Sequence, residues 1–239
     1  MKTCKNNKKN NCQFFALFAL LGLVSLVFFA CDKNESRINI RNGSANIMAV
    51  NASPDAKPTD FYIEKTKINA EPLTYNNHTN YVMVESGTKK TEFKSSTDNT
   101  VLASSTLNLV DKANYTIFFA GNVATPEVIL VADDLSAPGA GKAKVRFVNL
   151  SPDETKLDVR VIGGDKIAIG RDYKSVTDFT EVDPGVLKYE LLNNQDASVV
   201  LTMPEFSVDA GKIYTIWIKG TKNGTNDAAL GANILEHTK

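Results

Sequence analysis

Val50-Asn51-Ala52-Ser53-Pro54-Asp55 recurs 98 residues later as Val148-Asn149-Leu150-Ser151-Pro152-Asp153. The offset holds downstream: Asp60 matches Asp158, Tyr75 matches Tyr173 and Tyr81 matches Phe179. The turn Glu85-Ser86-Gly87 falls on Asp183-Pro184-Gly185. After a shift of one residue, Tyr115-Thr116-Ile117-Phe118 aligns with Tyr214-Thr215-Ile216-Trp217, and Gly121 with Gly220. A period this long marks a duplicated domain and not a solenoid.

Each copy reads as β throughout. Short runs rich in Val, Ile, Thr and aromatic residues (47–51, 60–63, 81–85, 88–93, 115–120 and 128–131) are separated by Gly, Pro, Asn and Asp at strand-plus-turn spacing. About seven such strands in about 95 residues predict a two-sheet sandwich. Leu135-Ser136-Ala137-Pro138-Gly139-Ala140-Gly141 has the small residues and Gly-Pro content of a linker. The expected organisation is therefore all-β: tandem immunoglobulin-like sandwiches over 45–134 and 143–239, joined by a linker over 135–142. In both copies a tight turn leads into a Tyr that opens a strongly apolar strand, at Tyr115 and Tyr214. This predicts the tyrosine corner of immunoglobulin-like folds, in which the phenol hydroxyl bonds upstream backbone.

The start of the chain has a different character. An apolar run from Phe14 to Ala30 follows Lys2, Lys5, Lys8 and Lys9 and ends at Cys31, the pattern of a secretory signal. Val27-Phe28-Phe29-Ala30-Cys31 resembles the lipobox of bacterial lipoproteins, in which the cysteine is lipidated after cleavage. Residues 1–30 then read as a cleaved signal peptide, Cys31 as the lipidation site and 31–44 as a tether. An uncleaved anchor is the alternative, because seventeen apolar residues lie at the lower limit for spanning a bilayer. Either way the expected partner is membrane lipid, and the expected location is the outer membrane with the body exposed at the cell surface.

Composition narrows the function. The whole chain has 27 basic and 27 acidic side chains; without the four lysines of residues 1–30 it has 23 against 27, a net charge near −4. No strongly basic surface is left to attract nucleic acid. Cys4 and Cys12 leave with the signal and Cys31 is consumed by lipid, so no disulfide is expected. The remaining histidines are His78 and His237, and there is no zinc-protease, P-loop, dinucleotide or nucleophile-elbow pattern. Asp133-Asp134, beside the linker, reads as a solvated charge pair. No enzyme activity and no cofactor are expected.

With these motifs in hand, the chain resembles the domain of unknown function 4397 family, small β-sandwich modules found in tandem in Bacteroidota lipoproteins. The resemblance spans nearly all of residues 45–237 and rests on the Asn-x-Ser-Pro-Asp turn in both copies. Copy one departs at Ser86, where proline is usual, and copy two at Glu154-Thr155-Lys156. The resemblance implies no catalytic residues.

The Asn-x-Ser-Pro-Asp segment is explained by turn physics: Pro54 and Pro152 fix φ, while Asn and Asp side chains bond local backbone. The functional alternative is a pair of calcium sites, one from Asn51, Asp55 and Asp60 and the other from Asn149, Asp153 and Asp158. Three side chains per copy fall short of the six to eight oxygens calcium takes. Tyr62, Tyr75, Tyr81, Tyr173 and Tyr189 are candidate aromatic platforms for a glycan or an envelope protein if they face outward. The expected function is that of a non-catalytic cell-envelope lipoprotein for adhesion, ligand capture or assembly. A structural spacer or accessory subunit of an outer-membrane complex is the alternative.

Overall fold

A computed structural model describes residues 43–153 and 156–238. Their secondary structure is β apart from a single 3-10 turn at Asn226–Ala228. Cys31 and nearly all of the tether lie outside the described residues.

In copy one, β4 (Val82–Glu85), β1 (Ser44–Asn51), β7 (Asn114–Ala120) and β8 (Glu127–Ala132) form one sheet in that order. The other sheet is β3 (Thr66–Lys67), β2 (Thr59–Ile63), β5 (Gly87–Ser95) and β6 (Val101–Leu109). Copy two repeats the first sheet as β12 (Thr180–Val182), β9 (Ala143–Asn149), β17 (Ile213–Lys219) and β18 (Gly231–Glu236). Its second sheet is β11 (Lys166–Arg171), β10 (Leu157–Val161), β14 (Tyr189–Asn193) and β15 (Val199–Thr202), with a separate pair β13 (Gly185–Leu187) and β16 (Phe206–Val208). The long β5–β6 hairpin of copy one is thus split in copy two. Pro204, between β15 and β16, has no N–H to give to a ladder.

Alternation places the cores. Ile47, Ala49, Phe61, Phe93, Leu107, Tyr115, Ile117 and Phe119 close the core of copy one, with Phe93 and Phe119 stacked at 5.1 Å. Val145, Phe147, Leu157, Val159, Tyr189, Leu191, Tyr214, Ile216 and Ile218 close that of copy two. The corner tyrosines lie at these cores. The Val110 N–H donates to the Tyr115 hydroxyl and the Asp209 N–H to the Tyr214 hydroxyl, both at 3.1 Å. The corner strand β7 runs parallel to β1 and antiparallel to β8, and β17 does the same between β9 and β18. The immunoglobulin corner strand instead lies between strands C and G of an antiparallel sheet. The likeness is therefore in the sandwich and the corner, not in the strand order.

Candidate functional site

The asparagine of the repeated turn is held in the same way in both copies. The Asn51 carboxamide oxygen accepts from the Ser53 N–H at 3.2 Å and its amide donates to the Leu73 carbonyl; Asn149 does the same with Ser151 and Arg171. Ala56 N–H closes the turn onto the Ser53 carbonyl with Pro54 inside it. The aspartates go elsewhere. Asp55 accepts from the Ser53 hydroxyl and the Val123 N–H. Asp60 takes Asn69 and the Lys67 ammonium, the latter at 2.8 Å. Fully buried Asp158 takes Lys166, the Gly170 N–H and Asn194. Burial pushes the Asp158 carboxyl up, but these donors outweigh it and hold the group below its usual range. Asp153 is exposed. Asn51 and Asp55 thus share a turn through Ser53, while Asp60 and Asp158 are each satisfied by a lysine and an asparagine. Among the described residues no cluster of three or more His, Cys, Asp or Glu has the arrangement of a metal site.

A third apolar cluster draws on both copies, and sequence reading did not find it. Met48, Val50, Ala52, Phe118, Ala120 and Val131 of copy one pack with Val148, Leu150, Trp217 and Leu235 of copy two. These are matched positions. Val50 corresponds to Val148, Ala52 to Leu150 and Phe118 to Trp217 by the repeat offset, and Val131 to Leu235 by strand register. The same face of each module therefore packs on the other. Phe118 and Trp217 meet there, ring centroids 6.2 Å apart, as equivalent residues do near a two-fold axis.

At one end of this seam the packing turns polar. Arg146, on β9 at the position equivalent to Met48, is 2% exposed. Its guanidinium pairs with Asp133, donates to the Ala132 carbonyl at 2.8 Å and, through Nε, to the Thr215 hydroxyl at 2.8 Å. The expected solvated pair Asp133-Asp134 is thus corrected at its first member. Asp134 is exposed, whereas Asp133 is buried because the second module covers it and supplies a cation.

Hydrogen-bond chemistry sets the direction of the remaining contacts. Thr116 and Tyr81 donate their hydroxyl protons to Asp133 Oδ2 at 2.8 and 2.6 Å. Having given its proton, the Tyr81 oxygen accepts from His237 Nδ1–H at 2.8 Å. His237 Nε2 is then the acceptor for the Thr215 hydroxyl at 2.7 Å. The result is a closed ring, Arg146 to Thr215 to His237 to Tyr81 to Asp133 and back to Arg146, with members from both copies. Phe179, the counterpart of Tyr81, lies 4.5 Å below the Arg146 guanidinium and edge-on to His237. Burial pushes His237 down to about 4 against the opposing pull of Asp133, with Arg146 and His78 adding to the fall. Burial first, then Asp133, raises the Tyr81 phenol.

Thr215 and His237 stand as a nucleophile and base would, but Thr215 is fully buried and both imidazole nitrogens are engaged. At the other end of the seam, Lys174 pairs with Glu127 across the two modules, and the Lys219 ammonium sits 5.0 Å above the Tyr75 ring.

Of the candidate aromatic platforms, Tyr81 enters the ring, Tyr189 is core, and the hydroxyls of Tyr75 and Tyr173 are buried. Tyr62 lies half-buried under the Lys94 ammonium at 4.5 Å. Outer surface is offered instead by a pair of matching clefts, one on each module. Copy one has about 500 Å³ between Ile63, Ile68 and Val84 beside exposed Met83. Copy two has about 580 Å³ at the matching place, between Val161, Ile162 and Val182.

Comparison with known proteins falls on the same repeat. Residues 45–160 match the family model DUF4397, a domain of unknown function. The DUF4397 match takes in all of copy one and the first strands of copy two. No curated protein matches the chain significantly. Among solved structures, the CBM26-family module CBMbc of Eubacterium rectale Amy13K, crystallised with maltoheptaose, overlays with a TM-score of 0.27 at 13% identity, covering 82% of this chain and 98% of that one. The Bacillus anthracis TIE protein gives 0.24 at 11% identity over 81% of this chain and 43% of its own. Overlays this loose carry no functional argument.

Proposed function

We propose that the chain is a non-catalytic lipoprotein of the cell envelope. In this reading it is anchored through lipid on Cys31, and its paired sandwiches act as one body at the cell surface for adhesion, ligand capture or assembly. The observation that carries the reading is the seam. The most chemically capable side chains of the body, Arg146, Asp133, His237 and Thr215, are spent on one another inside it, so catalysis is not part of the proposal. What remains for a partner, an envelope protein or a glycan, is the outer surface with its duplicated cleft. The same seam favours a second reading, a spacer or accessory subunit of an outer-membrane complex, because joined modules hold a fixed distance.

Four experiments test this. Metabolic labelling with an alkyne fatty acid should mark the wild type and not Cys31→Ala, and protease added to intact cells should remove the body; equal labelling of both would overturn the anchor. A glycan array and an envelope pull-down then separate the readings. Enrichment of a defined ligand supports capture, and stable co-purification with one membrane protein supports the spacer.

A further inference from the structure

We propose that the seam is an acid-sensitive joint: protonation of His237 reverses a hydrogen bond of the ring, sets a second cation beside Arg146 and favours parting of the two sandwiches while each keeps its own core. In the closed state a neutral imidazole donates from Nδ1 to Tyr81 and accepts the Thr215 proton at Nε2. A proton on Nε2 turns that acceptor into a donor aimed at the Thr215 hydroxyl. That oxygen already receives the Arg146 Nε–H, and its own proton loses its acceptor. The imidazolium also faces the Arg146 guanidinium.

The charged and titratable groups around His237 come from several elements. Asp133 follows β8 and favours the proton, Arg146 on β9 and His78 in the loop before β4 oppose it, and the Tyr81 phenol is neutral and already committed to Asp133. Asp134 and Asp178 lie on the rim of the adjoining cleft with Arg146 and Phe179. Each module has a separate apolar core that does not pass through the seam, so parting it leaves two closed sandwiches.

The linkage has a definite sign. Parting removes the cover of the other module and releases His237 from its closed-state value of about 4 towards its ordinary 6.5, so the parted state binds the proton more tightly. Acidification through that interval favours parting by up to roughly 300-fold.

Trp217 is the single tryptophan of the chain and lies in the seam, so its emission reports closure directly. The test follows Trp217 fluorescence and far-UV circular dichroism of the full chain in detergent from about pH 7.5 to about pH 4. The expected result is a reversible red shift of the emission within that interval, with the β signal retained. His237→Gln, whose amide both donates and accepts, should remove the transition, and His78→Gln should keep it. If His237→Gln fails to fold, the imidazole signals of the wild-type chain are followed by NMR instead, and should titrate well below the ordinary range in step with the Trp217 indole. Three results overturn the proposal: emission that stays blue with His237 protonated, a transition abolished by His78→Gln, or a His237 that titrates like an exposed histidine.

Discussion

Asp133 shows how much a single carboxylate is asked to do. It neutralises buried Arg146 and accepts the hydroxyl protons of Thr116 and Tyr81. Removing one partner of a buried pair leaves an uncompensated charge and costs about 3–5 kcal/mol. Asp133→Ala should therefore lower the stability measured by urea unfolding by that amount, whereas Asp134→Ala, at an exposed neighbour, should change it by less than about 0.5 kcal/mol. Equal effects would mean that Asp133 is solvated. The corner tyrosines make a smaller contribution. Tyr115→Phe and Tyr214→Phe keep the ring but deprive the Val110 and Asp209 N–H groups of their acceptor, at about 1 kcal/mol each in the same assay. Much at this scale was legible in the sequence, because turns and corners are local: Asn51, Pro54 and Tyr115 announce themselves within a few residues. Arg146 was not, because Lys144-Val145-Arg146-Phe147 alternates as any half-exposed strand does, and only the second module makes its outer face an interior.

At the scale of the strand, the central elements carry a signal that points to the seam. Ile47 to Val50 is a continuous apolar run, and Tyr115 to Ala120 and Ile213 to Ile218 are interrupted only by Thr116 and Thr215; runs that do not alternate belong to strands covered on both faces. In the structure β7 is buried from Tyr115 onward, with Ile117 and Phe119 in the sandwich core and Phe118 and Ala120 in the seam. The strand boundaries read from composition fall within a few residues of those observed for β1, β2, β4, β5, β7 and β8. The splitting of the copy-two hairpin around Pro204 was not foreseen. Native-state hydrogen exchange tests the two-sided burial. Amides of β7 and β17 should be the slowest in the body, and those of the edge strands β3 and β11 should exchange by local opening far sooner. Protection no greater in β7 than at those edges would contradict the covered second face.

The whole body is then two sandwiches joined through equivalent faces, and the repeat that predicts the modules is silent about their contact. A duplicated sequence gives each copy the same outer face, so the apolar runs show that a second face is covered but not that the cover is the twin module. The acid dependence belongs to this scale. The folded-state value of His237 is depressed to about 4 from 6.5, so the unfolded chain takes up the proton first and stability falls as pH drops through that range. Urea unfolding at pH near 4 should therefore show about 3 kcal/mol less stability than at neutral pH from this group alone, and His237→Gln should recover most of it. The joining of the modules is tested most directly by acrylamide quenching of Trp217 in the full chain at neutral pH. An indole 1% exposed and packed on Phe118 should emit in the blue and resist the quencher. Emission and quenching like those of free indole would show that the two faces do not meet.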